Sequence, residues 1–132
     1  MAIDEQNKIE ANNILEEVSE ELSKCIKCGM CKAECPVFDI LREEAVSARG
    51  KSIILSEKLL DKILFKCTLC KRCEQNCVLG LNLCDSFLKA REAMVLKGKG
   101  LKENEEMVKN VRETGSPFGK GEKKDGAKLY CC

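Results

Sequence analysis

Along the first stretch of the chain, apolar side chains recur at a helical period. Ile14, Val18 and Leu22 stand four residues apart and form one stripe on residues 4–24, opposite a Glu-rich, solvated face. Asp4 is placed to cap this helix, and the pattern stops at Cys25. A second apolar block, DILREEAVSARGKSIILSEKLLDKILF, reads as helix broken at Ser47 or Gly50. Ile53, Ile54, Leu59, Leu60, Ile63 and Leu64 supply its apolar face, and core packing is the role expected of it, with no chemistry assigned. Asn82 or Asp85 caps a third helix that runs to about Lys97 and stops at Gly98, with Phe87, Ala90 and Met94 along one side. A weaker helix follows from Leu101 to Glu113. From Thr114 onward the polar, Gly-rich GSPFGKGEKKDGAK predicts a flexible tail. No run alternates as a half-buried strand does, so the expected fold is all-α. The expected organisation is an N-terminal helix over 1–24, a central domain over 25–97 and a weakly helical, then flexible tail over 98–132.

Composition changes this picture in one respect. Aromatic residues make up 4% of the chain and Trp is absent, so the hydrophobic core is thin for 132 residues and something else must hold the middle together. Eleven cysteines are the candidates. The N-terminal MAIDEQNKIEANN has no apolar core region and no cleavage pattern, and no stretch approaches the roughly 18 apolar residues of a membrane span. The expectation is therefore a chain kept in a reducing cytoplasm without membrane insertion, where cysteines bind metal rather than form disulfides. Lys and Arg number 23 against 22 Asp and Glu, and with so few aromatics nothing calls for nucleic acid.

Eight of the cysteines form an internal repeat. Cys25, Cys28, Cys31 and Cys35 are spaced C-x-x-C-x-x-C-x-x-x-C and followed by Pro36; Cys67, Cys70, Cys73 and Cys77 repeat the spacing, followed by Val78. This is the cysteine run of bacterial two-cluster ferredoxins, written twice. Three cysteines at intervals of three wrap a short loop around one 4Fe-4S cubane, and the fourth points away from it. In ferredoxins with this run the fourth cysteine ligates the other cluster. The expectation is two 4Fe-4S clusters, one held by Cys25, Cys28, Cys31 and Cys77, the other by Cys67, Cys70, Cys73 and Cys35. Two structural zinc ions are the alternative, although Cys₄ zinc sites are usually separated C-x-x-C pairs.

The surroundings suit an anionic cluster. Gly29 lets the backbone approach the sulfurs, and Pro36 fixes the end of the first wrap. Lys27, Lys32, Lys71 and Arg72 either favour a reduced cluster, form a solvated face, or dock an acidic partner. Cys84 falls in register with Leu88 and Val95 and reads as a small buried residue rather than a ligand. Cys131 and Cys132, after the polar tail, read as free thiols.

With CIKCGMCKAECPVF and CTLCKRCEQNCVLGLNL in hand, residues 20–97 resemble the α-helical ferredoxin module of heterodisulfide reductase, of glycolate and lactate oxidase iron–sulfur subunits and of the succinate dehydrogenase iron–sulfur subunit. EEAVSARGKSIIL is similar to the Ser-Pro-Arg-Gly segment of the first three, and VLGLNL to Pro-x-Gly-Ile-x-Ile. Val78 departs from the usual proline, and Lys71 and Arg72 stand where a glycine is common. The resemblance implies helices rather than a β-rich small ferredoxin, and crossed ligation. Relatives of this type often continue into cysteine-rich domains, and SPFGKGEKKDGAKLYCC looks like the approach to one.

The reading that follows is an electron-relay subunit of a larger oxidoreductase, passing single electrons to or from a flavoprotein or a cysteine-rich-domain subunit. An enzyme in its own right is the second reading. It lacks support in a chain without His, without a nucleophile–base pair and without a phosphate-binding glycine loop, so no catalytic residue is assigned. A zinc-bound interaction module is the third.

Overall fold

The structure, a computed structural model, describes residues 4–119; Cys131 and Cys132 lie outside the described residues. Every regular element among the described residues is helical.

The first helix, α1, spans Glu5–Ser23, with Asp4 at its N-cap position but making no side-chain capping bond. Its buried face is Ala11, Leu15, Val18, Ser19 and Leu22, so the stripe is centred beside Ile14, which is half-buried at its margin. This face packs on α6 (Leu83–Leu96) and α4 (Ala48–Ser56). From α6 come Leu83, Cys84, Phe87, Ala90, Ala93 and Met94, all buried. Phe87 is completely enclosed and by itself contributes about 1.5–3 kcal/mol. Ser19 Oγ donates to the Ser56 carbonyl at 2.9 Å, tying α1 to the end of α4. Lys89–Glu17 and Lys58–Glu16, each at 2.6 Å, rim the same seams as exposed ion pairs that water screens.

The middle block is four short pieces: α3 (Pro36–Leu41), a 3₁₀ turn at Glu44–Val46, α4, and a second 3₁₀ turn at Lys62–Lys66. Pro36 opens α3 at its first position, where a missing N–H costs nothing. The break falls at Ser47. Its hydroxyl accepts the Gly50 N–H at 2.9 Å and donates to the Glu44 carbonyl at 2.8 Å, capping α4 and closing the turn before it. Gly50 lies inside α4, and there a Cβ would stand 2.0 Å from the Glu44 carbonyl oxygen.

The expected apolar face of this block needs correction. Leu64 is fully buried, but Leu59 is exposed and Ile53 and Ile54 are only half-buried; α4 buries Ala48, Gly50, Lys51, Ser52 and Leu55 instead. The inner side of α4 faces the cysteine loops, where small and polar residues fit and bulky aliphatics do not.

Among the described residues, those up to Lys99 form one compact unit, and residues 100–119 belong to a second. Within the second, α7 (Lys102–Thr114) buries no residue and ends at Gly115, whose φ of 73° gives a left-handed cap. Asn110 Nδ2 donates to the Pro117 carbonyl at 3.2 Å, and Thr114 Oγ1 to the Asn110 carbonyl at 2.8 Å, folding the chain back after the helix.

The Gly50 contact is backbone on backbone and has no flexible atom to yield. Gly50→Ala is expected to destabilise the protein by about 3 kcal/mol, measured by denaturant titration of anaerobically prepared protein. A change below about 0.5 kcal/mol would show that the turn at Glu44–Val46 does not hold α4 in this position.

Candidate metal centre

The two cysteine runs fold the same way, residue for residue. In the first, Lys27 and Gly29 have φ of 59° and 85°; in the second, Leu69 and Lys71, at the same offsets, have 55° and 62°. Each loop thus turns twice through the left-handed region, then enters one turn of helix: α2 (Met30–Ala33) and α5 (Arg72–Gln75). Left-handed backbone at a residue with a Cβ costs roughly 1–2 kcal/mol. Three such residues in two loops mark a conformation imposed for a purpose. Its result is that the Lys27 and Leu69 N–H groups donate to Cys25 Sγ and Cys67 Sγ, both at 3.4 Å.

Burial repeats as well. In each run the first and fourth cysteines are half-buried, the second (Cys28, Cys70) is exposed and the third (Cys31, Cys73) is buried. All nine cysteines among the described residues are free.

The fourth cysteine of each run lies with the three cysteines of the other. One cavity is lined by Cys67, Cys70, Cys73 and Cys35, the other by Cys25, Cys28, Cys31 and Cys77. The packing of α2 against α5 produces this exchange. The two helices carry the buried Cys31 and Cys73 within one core cluster. Among the described residues no three metal-binding side chains converge closely enough to hold a single ion. Each set of four thiols instead rings a cavity with no His in its lining and Glu34 on the rim of the Cys67 cavity, an all-thiolate donor set of the kind that ligates iron–sulfur clusters.

The electrostatics agree. Burial, then the thiolates of Cys25, Cys28 and Cys77, push the Cys31 thiol up to about 11. Cys73 is pushed up further by burial, then by Cys84 and Cys67. These thiols hold their protons at neutral pH until a metal displaces them.

The basic residues picked from the sequence sit apart from the cavity walls. Lys27 and Arg72 are exposed; Lys32 pairs with Glu44 at 2.5 Å and lies 4.5 Å over the Phe38 ring; Lys71, also exposed, lies 3.9 Å from Glu74 and 4.0 Å from Asp85. The cations on the walls come from the block to which no chemistry was assigned. Arg49 lines the Cys25 cavity, its Nε 2.7 Å from Glu44 Oε1, and Lys51 lines the Cys67 cavity. Arg91 donates to the Leu64 and Cys67 carbonyls at 3.0 and 2.6 Å, bracing the second loop.

Cys84 is buried, as expected, but on the face of Phe87 and Met94; Leu88 and Val95 are exposed. Its sulfur is 3.9 Å from Cys73 Sγ and lines the same cavity. The signal for Arg49 and Lys51 lay in EEAVSARGKSIIL, the stretch between the runs that resembles the Ser-Pro-Arg-Gly segment. Only folding shows that its basic residues face inward.

Comparison with known proteins agrees with this geometry. Residues 21–81 match the 4Fe-4S dicluster domain family. The chain is 28% identical to one subunit of the ferredoxin/F(420)H(2)-dependent CoB-CoM heterodisulfide reductase of Methanosarcina acetivorans, over 72% of this chain and 60% of that protein. It is 30% identical to the glycolate oxidase iron-sulfur subunit of Escherichia coli, over 49% of this chain and 18% of that protein. With a CoB-CoM heterodisulfide reductase iron-sulfur subunit of Methanopyrus kandleri the identity is 26%, over 80% and 59%. The chain therefore spans less than two thirds of each of these relatives.

The shared loop geometry separates Gly29 from Lys71. Gly29→Ala forces a left-handed Cβ to within 3.1 Å of the Arg49 guanidinium, whereas Lys71 already tolerates the equivalent backbone. Gly29→Ala is expected to lower stability by about 1–2 kcal/mol, and Lys71→Gly to leave it within about 1 kcal/mol. Thermal unfolding of the two variants side by side reads the difference; equal losses would show that the two loops do not share one conformation.

Proposed function

We propose that this chain, whose residues 21–81 match the 4Fe-4S dicluster domain family and which is similar to heterodisulfide reductase and glycolate oxidase iron–sulfur subunits, is an electron relay working through two 4Fe-4S clusters. The ligands proposed are Cys25, Cys28, Cys31 and Cys77 for one cluster and Cys67, Cys70, Cys73 and Cys35 for the other. The observation that carries the reading is the exchange of fourth cysteines between two loops of identical backbone and identical burial. When bound, the clusters supply one-electron chemistry.

The chain's own residues do the rest. Cys31 and Cys73 anchor each site from the buried centre, while Cys28 and Cys70 bring each site to the surface, where a partner exchanges electrons. The N–H groups of Lys27 and Leu69 stabilise negative charge on sulfur. Leu81 and Leu83 close the inner wall of the first cavity and keep water from it. The partner proposed is a flavoprotein or a cysteine-rich-domain subunit of a larger oxidoreductase, and a reducing cytoplasm keeps the thiols available before assembly. The domain proposed for this work is 25–97, preceded by the 1–24 helix and followed by the 98–132 tail. With no His in the chain and no nucleophile–base pair, catalysis on an organic substrate is left to the partner.

Protein prepared anaerobically is expected to contain about eight iron and eight sulfide per chain, with broad visible absorbance; about two zinc and no sulfide would overturn the reading. The crossing has its own test. Cys35→Ser combined with Cys70→Ser is expected to damage one cluster and leave the other normal by electron paramagnetic resonance, while Cys35→Ser combined with Cys28→Ser damages both. The reverse pattern would mean that each run closes on its own cluster.

A further inference from the structure

Lys51 is among the largest fully buried side chains of the described residues, 1% exposed, although lysine is rarely buried without a partner. Its ammonium donates to the Val46 carbonyl and, among the described residues, pairs with no carboxylate. A buried ammonium with one neutral acceptor is costly, so its position needs a reason. The cavity beside it offers one: Lys51 forms part of the wall shared with Cys35, Cys67, Cys70 and Cys73.

The other cavity is furnished differently. Its charged lining residue is Arg49, partly exposed and neutralised by Glu44. Its rim is apolar, with Ile26, Met30, Val78 and Leu79 all exposed to solvent. Around the Lys51 cavity the carboxylates are Glu34, on the exposed rim and screened by water, and Glu74, which accepts the Cys84 N–H at 2.8 Å. Arg91, on the Cys67 carbonyl, adds a second cation to that side.

We propose that Lys51 sets the order of the two potentials: its buried ammonium makes the cluster of the Cys67 loop the easier to reduce, so an electron entering the chain settles there. The inference rests on the two-cluster relay reading. The step is the gain of one electron, with no bond made or broken and no proton moved. A fixed positive charge in a low-dielectric wall stabilises the added negative charge far more than a paired, half-exposed arginine does. Because Arg49 and Lys51 are two residues apart on the first turns of α4, one short helix gives the two sites unequal surroundings.

The test uses the full chain carrying both clusters, titrated anaerobically with dithionite through mediator dyes and followed by electron paramagnetic resonance. Cys28→Ser and Cys70→Ser mark which signal belongs to which loop. In the unsubstituted chain, the more positive midpoint is expected from the signal that Cys70→Ser alters. Lys51→Gln keeps a donor for the Val46 carbonyl but removes the charge. It is expected to disfavour reduction of that cluster about tenfold, a downward shift of about 59 mV for one electron, with the other midpoint unmoved. Lys51→Arg is expected to hold the original value, which a purely structural role for Lys51 would not require. A Cys70-marked signal that is the more negative of the two, or a Lys51→Gln variant whose midpoints are unmoved or move together, overturns the proposal. Should Lys51→Gln fail to assemble, the order of midpoints in the unsubstituted chain decides alone. Iron and sulfide counts separate the two failures: a shortfall in the unsubstituted chain defeats the relay reading, and full counts with the wrong order defeat only the role of Lys51.

Discussion

The packing of α2 against α5 is the contact on which the rest of this protein depends. Each is a single helical turn, too short to persist alone, and each follows a loop that spends conformational energy on left-handed residues. Set against one another, they place Cys31 and Cys73 at the centre and direct Cys35 and Cys77 into the opposite loops. Clusters ligated across this exchange would join the two loops covalently through iron. That is the kind of staple a chain with 4% aromatic residues needs, because its apolar core alone is small.

Around this centre the longer helices act as a clamp. α1 lies along α6 and α4, and the cluster of Leu15, Val18, Leu22, Leu55, Leu64, Phe87 and Met94 is continuous with Cys31, Cys73 and Cys84. Hydrophobic core and cysteine centre are one body. Helix α4 is the element that most directly joins them. Ser47 caps it, Gly50 allows it to press on the turn before it, Leu55 enters the core, and Arg49 and Lys51 face different cavities. This accounts for a helix whose buried face is largely polar or small, where a free-standing amphipathic helix would present aliphatics.

The two cavities are alike in their cysteines and backbone and unlike in their surroundings. Likeness comes from the duplicated run, since spacing dictates how a short loop can wrap. Unlikeness comes from what single, unduplicated elements bring to each side. Charge and rim polarity are levers on potential that leave the ligand set untouched, so a relay can have direction without any change in its eight cysteines.

Much of this was legible in the sequence. The all-α character, the helices around Val18 and Phe87 and the two cysteine runs follow from local rules: a 3.6-residue period and a spacing that only a tight loop satisfies. The cysteine run itself suggested the crossing, since in ferredoxins with this spacing the fourth cysteine serves the other cluster, and Cys35 and Cys77 each line the cavity of the opposite loop. Three features were not. The break at Ser47 rather than Gly50, the polar inner face of α4 and the place of Cys84 beside Cys73 all depend on what lies across from a residue, and periodicity along one segment carries no such information. Lys51 is the clearest case. By composition a lysine in a helix belongs to a solvated face, and the linear pattern gives it no other reading. Its burial is decided only when α4 is pressed between the core and a ring of cysteines drawn from two distant runs, where a buried cation can be offset by the charge those cysteines are arranged to hold.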